Sequence, residues 1–460
     1  MKVLLIYPNI VESPKDISHG LAQISSLLKK DKHQVELIDT TFKLTKLEII
    51  NKVKRFDPNV IGITIATNDK EHAIRLLKLI KPYTHAKIIA GGFHTTIFPE
   101  DIIKEKEING LCIGEGEYPF LEFTNNLQNK KKITEIPNFW YKTSNGIIKN
   151  PIRNLIEDLD NLPFPDRSIF EYQKYIDHNR GLATFITSKG CPFECSYCIN
   201  KILQNLYKYK GKYTRFYSIE YIINEIRDVL KRYKVKEIEF YDDTFTLDKN
   251  RIREFCKIYP KKIGLPFYIN ARVNAVTRED FLLLKKAGCQ RVSIGIEHGD
   301  EEMRNKILKR DMTNRQIIQT FKDAKTAKLK TYAFNMIGVP FETKKTIEKT
   351  INLNKIIQPD FIGVSLFNAF YGTEIYELAK NENMLKEKLS ESYFKESNIK
   401  NKYLTEKELE NIRNKFGFKV YIKKRPIRGI LDLIDKKYSK NKNILKIKNK
   451  ILKYGIRKII

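Results

Sequence analysis

The sequence lacks a long apolar run and has few cysteines and comparatively few acidic residues. Its six cysteines are too few and too unevenly spaced for a small secreted protein stapled by disulfides. Cys112, Cys256 and Cys289 stand alone in apolar segments, so we predict that they are core residues in a reducing compartment. No stretch reaches the ~20 apolar residues of a membrane span, and the N-terminal apolar run is too short for a signal peptide. These absences predict a cytoplasmic protein, and its 460 residues suit two or three domains.

Acidic residues are outnumbered by basic residues, 55 to 85, which leaves a net charge of +30. The excess is densest in residues 421–460, which contain 14 lysines and arginines and only two acidic residues, Asp432 and Asp435. Apolar side chains recur there at helical spacing, at Ile444, Leu445, Ile447, Ile451, Leu452, Ile456 and Ile459. The pattern predicts a basic amphipathic helix that docks on the protein with a solvated lysine face. The alternative is peripheral contact with an anionic membrane surface.

The other three cysteines, Cys191, Cys195 and Cys198, form a CxxxCxxC pattern in one short segment. Three thiolates at this spacing can hold three irons of a four-iron cube and leave the fourth iron open. An open coordination position is typical of a catalytic metal site rather than a closed structural one. Two alternatives remain open from the residues alone. They are a zinc site with a distant fourth ligand and a ferredoxin-like cluster with a fourth cysteine elsewhere.

Two stretches of the chain alternate short β-branched runs with helical periods. In the first stretch, residues 1 to about 130, five strands joined by crossover helices predict a Rossmann-like, doubly wound parallel sheet. In the second, from residue 182, six such repeats predict a partial (β/α)6 TIM-like barrel that is open on one side. Between them, Ser144-Asn145-Gly146 predicts a hairpin turn and a proline-punctuated stretch predicts a linker. We predict four segments: 1–136, the hairpin and linker 137–180, the barrel 181–395, and a helical basic extension 396–460.

The cysteine loop follows the first strand of the second stretch, and in spacing and position it resembles the radical S-adenosylmethionine (SAM) superfamily. The resemblance implies a [4Fe-4S] cluster on the three cysteines, with SAM bound to the open iron. It also implies one-electron cleavage of SAM to a 5'-deoxyadenosyl radical. Tyr197, the aromatic residue before the last cysteine, is then placed near the adenine.

The first stretch looks like the cobalamin-binding domain that precedes the barrel in one branch of this superfamily. The likeness is carried by His19-Gly20-Leu21, Gly91-Gly92-Phe93-His94 and Gly114-Glu115-Gly116-Glu117. It implies that Gly91, Gly92, Gly114 and Glu115 contact cobalamin. The motif Asp-x-His-x-x-Gly, whose histidine ligates cobalt, is absent, and members of this branch typically bind cobalamin without it. We predict that His94 is a structural residue, and the alternative is a Rossmann-like fold that does not bind cobalamin.

Polar residues follow the barrel strands, at the end where ligands gather in barrels. By resemblance, Glu297 contacts the ribose hydroxyls of SAM, and Arg272 contacts the methionine carboxylate, for which a guanidinium fork is suited. Asp242 or Asp243 holds the methionine amino group or a polar group of the substrate, and Asn335 is also predicted to contact SAM. For Arg272 and Glu297 the alternative is an ion pair that caps the barrel.

Nearly the whole chain resembles the branch of the anaerobic magnesium-protoporphyrin monomethyl ester cyclase and the cobalamin-dependent methyltransferases. The resemblance implies methylation of an unactivated carbon in a small-molecule or lipid-like substrate, with an electron donor of the flavodoxin or ferredoxin type. Oxidative cyclisation or rearrangement without methyl transfer remains open, as does a non-enzymatic iron–sulfur protein. A tRNA methylthiotransferase would carry a second cluster on N-terminal cysteines. Because Cys112 stands alone in the first 190 residues, nucleic acid is not the predicted partner.

Overall fold

The computed structural model describes residues 1–10, 16–386 and 396–438, with residues 435–438 described by backbone alone. Seven strands form the first sheet: β1 (Lys2–Tyr7), β2 (Gln34–Asp39), β3 (Val60–Thr64), β4 (Lys87–Gly91), β5 (Gly110–Cys112), β6 (Phe139–Thr143) and β7 (Gly146–Lys149). They lie in the order β2-β1-β3-β4-β5-β6-β7. The first five are parallel, which confirms the predicted doubly wound sheet. The predicted hairpin is β6–β7, and it extends the same sheet in antiparallel pairing because β6 pairs with β5.

The helices of this region are α1 (His19–Lys30), α2 (Lys46–Phe56), α3 (Lys70–Ile80), α4 (Phe93–Ile97), α5 (Pro99–Ile103) and α6 (Glu117–Gln128). Local sequence explains where they begin. The Ser18 hydroxyl caps α1, and Thr45 with Glu48 forms a reciprocal capping box at α2. The residues of β1 and β3 are buried along most of their length because the sheet is covered by helices.

The second sheet has six strands in sequence order, which confirms the predicted partial barrel. The strands of this region are β8 (Leu182–Phe185), β9 (Ser188–Lys189), β10 (Arg215–Phe216), β11 (Glu237–Phe240), β12 (Phe267–Ala271), β13 (Cys289–Glu297), β14 (Lys330–Ile337) and β15 (Phe361–Leu366). The sheet order is β15-β14-β13-β12-β11-β8, while β9 and β10 form a separate antiparallel ribbon that the sequence did not predict.

The helices of this region begin with α7 (Tyr172–His178), ahead of the first barrel strand. Those that follow are α8 (Ile199–Leu206), α9 (Ile219–Arg232), α10 (Lys249–Lys262), α11 (Arg278–Lys286), α12 (Asn314–Thr326), α13 (Lys344–Ile357), α14 (Glu374–Asn381), α15 (Glu406–Tyr421) and α16 (Pro426–Tyr438). Six strands each separated by helices agree with a barrel built from consecutive β/α units.

The chain divides into two compact units. One comprises Met1–Asn270, Lys286–Gln290 and Phe370–Glu377, and the other comprises Ala271–Lys285, Arg291–Ala369 and Leu378–Ile460. The four predicted segment boundaries remain a prediction. In the second unit, β14 alternates between buried residues and residues such as Phe334, which is 41% exposed. Its buried Ile337 packs with Ile347 and Ile351 of α13, so the buried face of β14 is the helix-facing one.

The described part of the predicted C-terminal extension contains two helices, α15 and α16. A Thr405–Glu408 capping box begins α15, which buries Phe416 and Val420 in a core with residues of α13. The predicted amphipathic helix with apolar positions from Ile444 to Ile459 lies outside the described residues, so its docking and its membrane contact remain predictions. Among the described residues, no helix combines the length and apolar character needed to cross a membrane.

Candidate functional site

The three predicted ligands, Cys191, Cys195 and Cys198, lie on one loop between β9 and α8. Cys191 and Cys195 are buried and Cys198 is half-buried. Gln204 of α8 donates hydrogen bonds from its amide nitrogen to the carbonyl oxygens of Cys191 at 2.7 Å and Phe193 at 3.3 Å. The Cys198 amide donates to the Cys195 carbonyl at 3.0 Å. The loop is therefore folded back over the helix that follows it.

Glycine is required just before the first of these cysteines. Gly190 has a φ of +81°, and a Cβ there would overlap the carbonyl oxygen of Tyr213. A side chain at this position would strain the backbone that presents Cys191.

The donor set fits an iron–sulfur cluster. Thiolates are the ligands of such clusters, and three cysteines leave one iron free. Burial raises the pKa of Cys191 to about 11 and also raises the pKa of Cys198. Metal binding would therefore release protons from these sulfurs. Within the described ranges, no three His, Cys, Asp or Glu side chains are grouped as ligands of a single ion. In a cube, by contrast, each cysteine binds a different iron.

The two aspartates that follow β11 lie beside this loop. Asp242 is buried, and its Oδ1 accepts hydrogen bonds from the Thr187 amide at 3.1 Å, the Thr187 hydroxyl at 3.0 Å and the Ser188 hydroxyl. Its Oδ2 is buried and has no hydrogen-bond partner among the described residues. Burial raises the pKa of Asp242, because the charged form is poorly solvated. An amino group that donated to Oδ2 would satisfy this atom, so the chemistry of Asp242 fits its predicted role.

Asp243 is linked to the cluster loop through an amide that the sequence did not single out. Asn200 donates from Nδ2 to Asp243 Oδ2 at 3.0 Å and to the Cys198 sulfur at 3.5 Å. The Asn200 carbonyl oxygen accepts from the Tyr213 hydroxyl at 2.8 Å. Asp243 therefore orients the amide that contacts a predicted cluster ligand. Such outer contacts tune metal sites.

In the second unit, Glu297 is paired with Arg310, which sequence reasoning missed. Arg310 Nη1 lies 3.3 Å from Glu297 Oε1, and its Nη2 donates to the Gly295 carbonyl at 2.9 Å. Glu297 lies at an irregularity in β13, with a φ of +63° that non-glycine residues rarely adopt. Burial raises the pKa of Glu297, and Arg310 and Arg272 oppose that rise. Strained backbone of this kind is concentrated at functional sites.

Arg272 follows β12 and is buried. Its Nε donates to Asn274 Oδ1 at 2.8 Å, and its Nη2 donates to the Arg310 carbonyl oxygen. The ion-pair alternative is therefore found for Glu297, with Arg310 as its partner. Glu297 and Arg272 both remain predicted SAM contacts.

Asn335 lies on the helix-facing side of β14. Its Oδ1 accepts from Asn354 Nδ2 of α13 at 2.7 Å, and its own Nδ2 donates to the Ala333 and Gly363 carbonyls at 3.2 and 3.3 Å. These bonds give Asn335 a structural role between strand and helix. The position was predicted from its place near a strand end, but the alternation of the strand turns it away from the other face. Asn335 is therefore not part of the SAM site that we propose. Tyr197 is half-buried in the cysteine loop, and its adenine contact remains a prediction.

The predicted cobalamin glycines Gly91 and Gly92 end β4 and precede α4. Gly92 has a φ of +94°, and a Cβ there would overlap Thr64 Oγ1 and the backbone of Ile65. At Gly91 an added Cβ would meet only Cys112 atoms, at 3.7 and 3.9 Å. Glycine at position 92 is therefore required by the fold itself, whereas the protein leaves space at position 91.

His94 is held from both ring nitrogens, as expected for the predicted structural residue. Nδ1 lies 3.1 Å from Thr67 Oγ1, and Nε2 lies 3.1 Å from Asp101 Oδ2. His94 is fully buried in α4, a short helix that the sequence did not indicate.

The two neighbouring glycines provide a stability prediction. Gly92→Ala should lower the free energy of unfolding by about 1–3 kcal/mol, because alanine is strained at positive φ and would collide with Ile65. Gly91→Ala, its matched control, should leave stability nearly unchanged. Urea unfolding followed by circular dichroism measures both, and equal midpoints for the two variants would contradict the prediction.

The loop after β5 carries the other two predicted cobalamin residues. Gly114 has a φ of +76°, and an added Cβ would overlap the Tyr207 hydroxyl. Glu115 Oε2 lies 3.2 Å from Arg215 Nη1, and its Oε1 lies 3.7 Å from Lys189 Nζ. Burial raises the pKa of Glu115, but Lys189 and Arg215 outweigh this and hold it below its usual range. The Glu115 carboxylate is thus engaged by protein cations, and its cobalamin contact remains a prediction.

Comparison with known protein families agrees with this architecture. Residues 16–124 match the B12 binding domain, and residues 185–353 match the Radical SAM superfamily. The chain is a radical SAM protein with an N-terminal B12 binding domain. The predicted cofactors, a [4Fe-4S] cluster, SAM and cobalamin, are those of this family.

This radical SAM protein is similar over nearly its whole length to a protein of Pyrococcus horikoshii. The relative, uncharacterized methyltransferase PH0819, is 29% identical over 461 residues, which cover 94% of this chain and 98% of the relative. The anaerobic magnesium-protoporphyrin IX monomethyl ester cyclase of Rubrivivax gelatinosus is 26% identical, and the alignment covers 82% of this chain and 70% of the cyclase.

Among solved structures, the cobalamin-dependent S-adenosylmethionine radical enzyme OxsB with aqua-cobalamin bound has the same fold. The TM-score is 0.74 at 17% identity, and the match covers 98% of this chain and 75% of OxsB.

Proposed function

We propose that this radical SAM protein is a cobalamin-dependent methyltransferase that methylates an unactivated carbon of a small-molecule substrate. One structural observation carries the proposal: the loop of the B12 binding domain at Gly114–Glu117 contacts the elements on both sides of the cysteine loop. Glu115 pairs with Lys189 and Arg215, and its amide donates to the Tyr207 hydroxyl at 2.6 Å. A reaction that uses both cofactors on one substrate needs them held close together.

The residues of the chain have separate tasks in this proposal. Cys191, Cys195 and Cys198 hold the cluster, and Asp242 Oδ2 accepts a hydrogen bond from the amino group of SAM. In the second unit, Glu297 accepts hydrogen bonds from the ribose hydroxyls and Arg272 contacts the SAM carboxylate. When bound, these cofactors supply a carbon radical that removes hydrogen from the substrate and a methyl group for the resulting carbon. An external donor of the flavodoxin or ferredoxin type supplies electrons.

A second candidate, oxidative cyclisation or rearrangement without methyl transfer, is favoured by the similarity to the magnesium-protoporphyrin ester cyclase. The two differ in how SAM is consumed. Methyl transfer uses one SAM as methyl donor and a second as radical source, whereas cyclisation needs only the radical source.

Product analysis separates these two functions. The protein is reconstituted anaerobically with iron, sulfide and cobalamin, then incubated with SAM, reductant and a small-molecule extract of cells. We expect S-adenosylhomocysteine and 5'-deoxyadenosine in equal amounts, with S-adenosylhomocysteine absent when cobalamin is omitted. 5'-Deoxyadenosine alone would favour the cyclase class. If a protein with an intact cluster formed neither product, both candidates would be contradicted.

A further inference from the structure

Four charged side chains form a largely buried cluster between the B12 binding domain and the ribbon that precedes the cysteine loop. The charge cluster consists of Glu115, Glu117, Lys189 and Arg215. Lys189 pairs with Glu117 and lies 3.7 Å from Glu115, and Arg215 forms a two-point pair with Glu115. The Arg215 and Glu117 side chains are 4% and 8% exposed, and those of Lys189 and Glu115 are each 21% exposed, so the cluster is mostly shielded from water.

Three members of the charge cluster lie beside a proposed cofactor site in sequence, and Arg215 lies opposite one of them in the β9–β10 ribbon. Lys189 directly precedes Gly190 and Cys191. In the register of the antiparallel β9–β10 ribbon, Lys189 lies opposite Arg215. Glu115 lies in the loop after β5, and Glu117 is the first residue of α6, which follows that loop. Arg215 Nη1 also donates to the Ile156 carbonyl at 2.6 Å, which fixes the guanidinium on a second segment.

A second connection runs through α8. The helix begins after Cys198 and ends at Leu206, and Tyr207 follows directly. The Tyr207 hydroxyl accepts the Glu115 amide at 2.6 Å and occupies the space next to Gly114. A change in the position of Cys198 would therefore be transmitted along one short rigid helix to the B12-domain loop. The cysteine loop is thus connected to the B12-domain loop on its N-terminal side by charge pairs and on its C-terminal side by Tyr207.

The buried ion pairs hold the two loops together, because separating the opposite charges costs free energy. The cluster contains two cations and two anions, so it is balanced only when both loops are in place. Displacing one loop would separate the opposite charges, which costs free energy wherever the separated charges remain out of water. An interface of this kind favours two arrangements, engaged and separated, over intermediate ones.

We propose that the charge cluster and Tyr207 couple the two cofactor sites, so that a bound iron–sulfur cluster tightens cobalamin binding and bound cobalamin stabilises the cluster. The inference rests on the proposed function for the identity of the two sites. Coupling of binding free energies is reciprocal, so either cofactor can be varied to measure it. Lys189, Arg215 and Tyr207 are positioning residues here, and they act through the loops to which they belong.

The test measures the dissociation constant of aqua-cobalamin by absorbance titration on the full-length protein under anaerobic conditions, with and without the reconstituted cluster. In the natural protein we expect cobalamin to bind about tenfold more tightly when the cluster is present, a typical coupling. The double variant Lys189→Met with Glu117→Gln removes one buried pair without leaving a lone charge. In this variant the ratio of the two constants should fall towards one.

Tyr207→Phe is a second, separate variant that tests the coupling even if the charge variant does not fold. It removes only the hydroxyl that accepts the Glu115 amide and keeps the ring, and it should lower the ratio severalfold. The matched control is the exposed pair Lys132–Glu135, whose side chains are 66% and 67% exposed in the same unit. The variant Lys132→Met with Glu135→Gln should keep the natural ratio.

Two results would overturn the coupling alone. One is cobalamin binding in the natural protein that does not depend on the cluster. The other is a natural ratio that survives in both the charge variant and Tyr207→Phe. If cobalamin failed to bind in either state, the proposed function and the coupling would both be overturned, and this outcome is distinct from the first two.

Discussion

Replacing any one of Cys191, Cys195 and Cys198 with alanine should abolish SAM cleavage. Each variant loses one of only three protein ligands, and the freed iron has no other thiol donor in the loop. Substituting a residue that only hydrogen-bonds to a metal ligand typically lowers metal affinity or activity by ~10–100-fold. Removing a ligand itself should therefore lower the rate of 5'-deoxyadenosine formation by more than about 100-fold. Iron content should fall from about four per chain towards zero after anaerobic desalting. Iron analysis, electron paramagnetic resonance and product chromatography measure these effects.

Cys256 provides the matched control because it is a half-buried cysteine of α10 outside the loop. Cys256→Ala removes the same group and should retain iron, the spectroscopic signal and SAM cleavage. A loop variant that kept its iron and its activity would refute the assignment of the cluster ligands. Loss of iron in the control as well would mean that the iron is bound elsewhere.

Glu297→Gln should weaken SAM binding and lower SAM cleavage while leaving the iron content unchanged. The amide has nearly the shape of the carboxylate but loses the negative charge, so hydrogen bonds from the ribose hydroxyls weaken. A hydrogen bond to a charged group contributes about 1.5–3 kcal/mol, which predicts a ~10–100-fold loss of affinity. The dissociation constant follows from the change that SAM causes in the spectroscopic signal of the cluster.

The control for this variant is Glu302→Gln. Glu302 is 71% exposed and pairs with Lys306 at 2.7 Å, so it carries the same charge change without burial. It should bind and cleave SAM like the natural protein. If Glu297→Gln bound and cleaved SAM like this control, Glu297 would not contact SAM, and its role would be limited to the ion pair with Arg310.

The two variants rest on different amounts of sequence information. The cysteine pattern is local, since three ligands within eight residues need no knowledge of the fold. Glu297 was predicted from its place after a strand and from family resemblance, but its partner Arg310 lies 13 residues later, beyond a helical turn. No local pattern connects them, because their contact depends on the irregularity in β13 and on the positive φ of Glu297. The sequence therefore indicated the residue but not the electrostatic environment that tunes it.

For Asn335 and Glu115 as well, the sequence indicated a candidate site residue but not the partners of its side chain. For Asn335, position near the end of β14 suggested a cofactor contact, yet strand alternation directs the amide to Asn354 of α13. Glu115 was predicted to contact cobalamin, and its carboxylate pairs with Arg215, a residue 100 positions away in sequence. Side-chain direction and long-range partners are decided by packing, which a motif does not encode.

The sequence by itself determined the two α/β regions and the cysteine loop. Hydrophobic periodicity and ligand spacing are short-range properties, so β1 to β5 and the six barrel strands could be predicted from them. Only the tertiary structure decided that the loop at Gly114–Glu117 meets Lys189, Arg215 and Tyr207. These contacts join segments that are far apart along the chain, and they form because buried charges and backbone amides must find partners once the segments pack together.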